Sequence, residues 1–480
     1  MARTPSLNPR LCLLWALVAL AAWRFWVGAA LPLSVDEAYY YAWSLTPDWG
    51  YWTKPPLIAW AIGAADTVCG PSAGCLRSVG VLGFTACAVV MHALLVRMGL
   101  EAAMAAATAL GFATLPLASF YGMAATTDAL LLLCWLLAMF SLWHALHDHP
   151  WGWIALGLSA GLGLLAKYSM GVLAPSVALV LLHPAWRHHW RRPGPYLAAA
   201  IAGVVFAPNL WWNLTHGMPT LQHTAEISKG ASYGWHPQVM LGFLAEQWLV
   251  GNVVLVTVFA VWVLHGRWRG SPLGWFWLMP SAPMLAVIAL QALLSRANAN
   301  WAAPAHVAMC VVGVTCLWQA RRRAWLIVAL AFNLLFAVLL YHGQTLVREP
   351  LGLKASWRTD PYWALRNWPG LHEQARARLS EQLPPASWRI ASDDRAVLAQ
   401  LQWALQLPAG SAMGWSRAAI PMNHFEQRFA VHTGAGPILL LTQASEDEVR
   451  RQFPHARATQ PLRSAQVESE AIQYGAWWLD

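Results

Sequence analysis

Residues 126–146 read Thr-Thr-Asp-Ala-Leu-Leu-Leu-Leu-Cys-Trp-Leu-Leu-Ala-Met-Phe-Ser-Leu-Trp-His-Ala-Leu. After Asp128 no Lys, Arg, Asp or Glu interrupts the stretch. As an α-helix it is about 27 Å long, enough to cross nearly all of the roughly 30 Å hydrocarbon core of a bilayer. The reading is a transmembrane helix that begins at a carboxylate. The rest of the chain agrees, with 58% hydrophobic and 11% charged residues among 480. A mean hydropathy of +0.42 excludes an ordinary soluble domain. The 32 tryptophans gather beside apolar runs, as at Trp23, Trp26, Trp211 and Trp212, where amphipathic rings suit the headgroup zone. A net charge of +9 does not point to nucleic acid, because the basic residues form short clusters between apolar runs.

Outward from residue 128, apolar stretches of similar length fall at 11–31, 77–96, 102–119, 128–146, 151–166, 168–184, 195–213, 238–264, 272–293, 303–318 and 324–342. The expectation is a multi-span α-helical membrane protein with about eleven spans. With the N-terminus inside, the cytoplasmic connections hold Arg3, Arg10, Arg97, Arg187, Arg191, Arg192, Arg267, Arg269 and Arg321 to Arg323. The opposite loops hold only Lys54, Arg77, Lys167, Lys229 and Arg296. The positive-inside rule then places residues 32–76 and the C-terminal region in the periplasm of a bacterial inner membrane. Arg24 interrupts the first run, which reads as an uncleaved helix rather than a signal peptide. Of the 53 charged residues, 26 lie in 1–342 and 27 in the last 138, so a domain boundary is expected near residue 343. Domain one is 1–342, with a periplasmic first loop 32–76; domain two, 343–480, reads as a small periplasmic α/β domain. In it, 388–391 and 437–442 look like strands, 394–405 and 445–453 like helices. Asp393 and Asp394 precede a helix and read as its cap. Access for an acceptor, or contact with a partner, is the expected role of this domain.

The first loop reads Leu-Pro-Leu-Ser34-Val-Asp36-Glu37-Ala-Tyr39-Tyr40-Tyr41-Ala-Trp43, then Asp48-Trp-Gly-Tyr-Trp-Thr-Lys54-Pro55-Pro56-Leu-Ile-Ala-Trp60. Ser34 and Glu37 fit a capping box, which puts Asp36 in the first turn of a short helix whose dipole favours an ionised carboxylate. Such a carboxylate is either a helix-end charge or a general base for a hydroxyl that attacks a sugar. Pro55-Pro56 predicts a second helix, running to about Val68. Lys54 at its mouth can neutralise a departing lipid phosphate or simply snorkel to a headgroup. Cys69 and Cys75 bracket five residues of the same loop and form either a small disulfide or two free thiols. The remaining cysteines lie in apolar spans, and no Cys/His spacing suggests zinc.

The order Asp-Glu-Ala-Tyr-Tyr, Asp-Trp-Gly-Tyr and Lys-Pro-Pro-Leu-Ile-Ala-Trp resembles the first loop of the protein O-mannosyltransferase-related family of the C-type glycosyltransferase superfamily, to which the aminoarabinose transferase of lipid A is related. Thr127-Asp128-Ala-Leu, the Gly161 to Tyr168 segment, Pro208-Asn209-Leu-Trp-Trp212-Asn213, His216-Gly and Asn300-Trp301-Ala-Ala-Pro304-Ala are similar to family segments in the same order. The resemblance covers most of residues 30–310. It implies the C-type glycosyltransferase fold and transfer of a sugar, with inversion, from a polyprenyl-phosphate donor to an envelope glycolipid, polysaccharide or protein acceptor at the periplasmic face. It also implies that Asp36 is the base, with Glu37 beside it and Asp128 as the second acid, and that Lys54, Lys167 and Arg296 receive the carrier phosphate. His306 departs from the pattern, which expects an aromatic residue there.

The residues themselves leave alternatives open. Asp128 reads equally as a helix cap, Lys167 as a snorkelling lysine, and Arg296 with Asn300 as either a carrier-binding or a merely polar connection. No cofactor is required on this reading, since fixed cations can stabilise a monophosphate leaving group; the carboxylates could still collect a divalent cation. The competing class is a secondary transporter or flippase of a lipid-linked or anionic substrate, because charges within spans also mark substrate paths. No internal repeat of the transporter kind is legible.

Overall fold

The structure, a computed structural model, describes residues 8–229, 234–356, 358–418, 420–434, 436–464 and 472–480. Arg3 and the side chain of Lys229 lie outside the described residues. The chain forms two compact units: the first comprises Met1–Gly28, Lys54–Ile58 and Arg77–His342, the second Ala29–Thr53, Ala59–Leu76 and Gly343–Asp480. Residues 32–76, read from the sequence as a loop of the membrane portion, thus pack mostly with the C-terminal residues.

In the first unit all of the apolar stretches are helical. Pro9–Ala30, Ala73–Arg97, Thr127–Leu146, Gly194–Thr215, Pro272–Leu294 and Arg323–Arg348 are long and apolar enough to cross a membrane. Ala102–Ala113, Gly152–Ala166, Tyr168–Val180 and Ala305–Gln319 are apolar but shorter. The stretch at 238–264 departs from a simple span. It forms Pro237–Val250 and Val253–Leu264, bent by 116°. The break is local chemistry: Asn252 takes φ 75° and its side chain caps the second helix by accepting from the Val254 and Leu255 amides. The same Asn252 donates to the Ala329 carbonyl at 2.8 Å and to Asn333 at 2.7 Å, and Asn333 donates to Thr114 at 3.1 Å. These bonds satisfy backbone and amide groups that hydrocarbon cannot.

Arg24 has a structural explanation. Its side chain is 1% exposed and donates to the Ala113 carbonyl at 2.6 Å, the last residue of Ala102–Ala113. A cation at a helix C-terminus meets the negative end of the dipole and an orphan carbonyl. Pro116 ends that helix and opens Pro116–Tyr121. Helices Gly152–Ala166 and Gly194–Thr215 approach closely because Gly157 has no side chain; a Cβ there would stand 2.6 Å from the Ala198 carbonyl oxygen.

The second unit holds a five-stranded sheet in the order β2-β1-β3-β5-β4, with β1 Ile390–Ser392, β2 Ala412–Gly414, β3 Ile438–Thr442, β4 Arg457–Arg463 and β5 Gln473–Leu479. β1 lies parallel to both β2 and β3, with Ile390 opposite Ala412 and Leu439. β5 runs antiparallel to β3 and β4. Arg395–Ala404 crosses from β1 to β2 and Glu446–Gln452 follows β3. Asp394 caps the first of these through the Ala396 amide, and Ser445 with Glu448 forms a capping box on the second. The strand signal of β2 is three residues long, and β4 is mostly exposed with Pro461 within it, so neither carries a clear alternation.

Candidate active site

In the first unit a buried cluster forms around Asp128. The Thr127–Leu146 helix begins at Thr126, whose side chain makes no capping bond, and Asp128 sits in its first turn. Its carboxylate is directed elsewhere. Lys167 donates to Oδ1 at 2.9 Å, and Asn300 donates to Oδ2 at 3.1 Å. Asp128 is therefore a counterion rather than a helix cap. Lys167 occupies the break between Gly152–Ala166 and the 3-10 turn Tyr168–Val172, in extended backbone at φ −162° and ψ 134°. Gly163 permits that break: a Cβ there would lie 2.6 Å from Met170. The ammonium has three donors and gives one to Asp128, so two remain for another anion. The sequence groups Asn300 with the carrier-phosphate residues; the structure directs one of its amide hydrogens to Asp128.

A polar network continues from this break. Tyr168 donates to Asn209 at 2.8 Å and accepts from Asn213 at 3.0 Å. Both asparagines are buried on one face of Gly194–Thr215. In the sequence they stand only as two amides at i and i+4 in an apolar helix, a spacing that puts both on one face. Lys54 also belongs to the first unit and is half-buried. Arg296 is exposed, and its side chain forms no hydrogen bond or ion pair among the described residues. The structure does not bring it into the Asp128 cluster.

The first-loop carboxylates lie in the second unit, on the helix Val35–Ser44. The capping box is formed: the Glu37 amide donates to the Ser34 hydroxyl at 3.2 Å, and Glu37 Oε2 accepts from the Ser34 amide at 2.9 Å. Glu37 is 1% exposed. Asp36 is exposed, and no described residue hydrogen-bonds or ion-pairs with its carboxylate. Two adjacent acids thus have separate situations. Leu57–Cys69 follows Pro55-Pro56, and Cys69 and Cys75 are joined by a disulfide.

This helix is fastened to the C-terminal part of its unit by contacts that the sequence did not reveal. The Tyr39 hydroxyl accepts from the His424 amide at 2.8 Å, and the Arg395 guanidinium lies 5.1 Å from the centre of the Tyr39 ring. Gln400 donates to the Leu33 carbonyl at 3.0 Å, one residue before the cap. Tyr41 donates to Gln406 at 3.2 Å and meets Trp403 edge-on at 4.9 Å. Asp48 pairs with Arg428 at 2.7 Å. Burial pushes the Tyr39 phenol up to about 12, so it stays a neutral hydrogen-bonding group. His424 sits among Tyr39, Trp43, Tyr51, Phe425 and Phe429. Burial, and then the nearby Arg428, depress its imidazole to about 3. Among the described residues no three His, Cys, Asp or Glu side chains converge as a metal site.

The sequence profile of the dolichyl-phosphate-mannose-protein mannosyltransferase family matches residues 53–212. The lipid A galacturonosyltransferase RgtD of Rhizobium johnstonii is 31% identical over 430 residues, covering 86% of each chain. Crystal structures of ArnT from Cupriavidus metallidurans share the fold. The apo form superposes with a TM-score of 0.67 over 98% of both chains at 14% identity, and the form bound to undecaprenyl phosphate with 0.66 over 97% at 15% identity.

Proposed function

As this chain belongs to the protein O-mannosyltransferase-related family of the C-type glycosyltransferases, and is a membrane enzyme that takes sugars from polyprenyl-phosphate donors, we propose that it glycosylates a glycolipid of the lipid A class at the periplasmic face. The relative aligned over 86% of both chains is a lipid A galacturonosyltransferase, and that alignment is the observation that supports this acceptor class. In this reading Asp36 takes the proton of the acceptor hydroxyl. The hydroxyl oxygen bonds to the anomeric carbon as the bond from that carbon to the carrier phosphate oxygen breaks, with inversion. The carrier leaves as a lipid phosphate, whose charge Lys54 and Lys167 meet.

The observation that supports Asp36 over its neighbour is the capping geometry. Glu37 holds the helix start through the Ser34 amide, whereas Asp36 is unengaged by any described residue. Asp128 then serves to hold and orient the Lys167 ammonium rather than to move a proton. Arg296 is left as a candidate only for the carrier headgroup, as an exposed cation. The transfer needs no metal ion, because ammonium groups supply the positive charge at the leaving oxygen. Transfer in the presence of a chelator should match transfer without it.

The test is transfer from a defined polyprenyl-phosphate uronic acid to purified lipid A in nanodiscs, read by mass spectrometry. Membranes with and without the gene are compared for the same modification. A modified envelope protein or polysaccharide with unmodified lipid A would move the acceptor to that class.

A further inference from the structure

The first unit also carries an apolar feature that the proposed transfer step does not use. A cavity of about 270 Å³ lies between Gly152–Ala166, Tyr168–Val180 and Gly194–Thr215. Small residues leave the space: Gly157, Ala160, Gly171, Ala174, Ala199 and Ala202 line it. Ala174, Ala199 and Gly171 are exposed, so the space is a groove open along its side rather than a sealed void. Its chemistry changes at one end. There Trp190 and Tyr196 form part of the lining, both exposed, with the Tyr196 hydroxyl donating to the Trp190 carbonyl at 3.0 Å. Amphipathic rings at the end of an apolar groove mark the headgroup level.

Trp190 belongs to the turn Arg187–Arg191. Arg187 and Arg191 are exposed, and neither side chain forms an ion pair among the described residues; Arg192 is paired with Asp148. Two uncompensated guanidinium groups therefore flank a tryptophan on the rim of a hydrocarbon-lined groove. This end is far from the Lys167 ammonium. Lys167 follows the last residue of the Gly152–Ala166 helix, whereas Trp153 at its start lines the groove, and 15 residues of helix span about 22 Å. A phosphate held at Arg187 and Arg191 is thus not the donor phosphate at Lys167.

We propose that this groove binds an anionic membrane phospholipid, with its phosphodiester at Arg187 and Arg191 and an acyl chain along Gly171, Ala174 and Ala199. Charge complementarity decides the occupant: paired cations at the mouth of an apolar groove between helices favour an anionic headgroup over a zwitterionic one. The planar forks of two arginines suit a phosphodiester.

The full chain in detergent, titrated with dioleoylphosphatidylglycerol or dioleoylphosphatidylcholine and read by native mass spectrometry, tests this. One phosphatidylglycerol should be retained at a concentration at least about tenfold lower than phosphatidylcholine. Arg187→Gln with Arg191→Gln should erase the preference, while Lys at both positions keeps much of it. Ala199→Trp, which fills the groove, should weaken phosphatidylglycerol retention without removing the arginines. Glycerol 3-phosphate, a headgroup without chains, should not displace the lipid. Equal retention of the two lipids, or a preference that survives the paired Gln substitutions in protein of normal elution and melting temperature, would overturn the site. Displacement by undecaprenyl phosphate would make the groove a carrier site instead and overturn the assignment equally.

Discussion

Asp36 and Glu37 are neighbours in sequence but not in situation, and single substitutions separate them. Asp36→Asn keeps the size and helix-end compatibility of the side chain while losing the ability to take a proton. Transfer should fall by roughly two or more orders of magnitude, with donor binding and melting temperature near those of the wild type. Glu37→Gln retains the capping-box acceptor for the Ser34 amide, since Gln serves in that motif. It should keep most of the activity. The reverse pattern, an inactive Glu37→Gln and an active Asp36→Asn, would transfer the base to Glu37. At Asp128 and Lys167 the expected cost is stability as well as rate. Asp128 is buried and Lys167 partly so, with side chains 6% and 14% exposed, so Asp128→Asn leaves an ammonium without its carboxylate and should lower the melting temperature distinctly. Combining Asp128→Leu with Lys167→Met should recover stability but not transfer. Recovery of both would reduce the pair to a structural role.

At the scale of elements, the Val35–Ser44 helix depends on Arg395–Ala404 and the residues around His424. Gln400 reaches the Leu33 carbonyl just before the cap. Gln400→Leu should reduce kcat about tenfold through misplacement of Asp36 while donor binding is unchanged, as a positioning contact predicts. Equal losses in kcat and donor binding would indicate general unfolding instead. The His424 imidazole gives this packing a pH dependence. Its folded value, about 3, lies below the ordinary 6.5, so the unfolded chain binds a proton that the folded chain refuses. Stability is therefore full above pH 6.5 and is lost as the pH falls toward 3. At pH 5 the loss amounts to about 2 kcal/mol. Thermal unfolding followed at pH 7.5 and pH 5 should show this drop, and His424→Gln should shrink it. Asp48 and Arg428, which face His424, keep their pair in that variant. His372, depressed to about 4 by burial, contributes a second drop of the same sign that survives the substitution.

For the whole molecule, the pairing of the first loop with residues 343–480 in one unit constrains topology. Both must lie on the same side of the membrane, so the number of crossings between residues 77 and 342 is even. Counting each other apolar stretch of the sequence as one crossing, the bent pair Pro237–Val250 and Val253–Leu264 must cross once in total, despite its 116° bend. Reporters fused after residues 50 and 400 should therefore occupy one compartment, and those after 190 and 268 the other. Reporters at 190 and 268 in different compartments would show that the bent pair re-enters.

Much of this was legible in order alone, for a physical reason. Apolar run length determines whether a helix can cross hydrocarbon, and a capping box acts over three residues, so the membrane class, the Glu37 cap and the helix after Pro55-Pro56 follow from near neighbours. The disulfide was a choice between two states of residues six apart, and the structure joins them. Other features depend on partners distant in the chain. Asn300 meets Asp128 across 172 positions, and Gln400 meets Leu33 across 367. Side chains of this kind have many possible partners along the sequence, and only packing selects one. That is why the sequence could nominate Asp36, Glu37, Asp128, Lys54, Lys167, Arg296 and Asn300 together and assign the cap to Glu37, while tertiary structure alone left the Asp36 carboxylate without a partner among the described residues and gave the Lys167 ammonium its counterion.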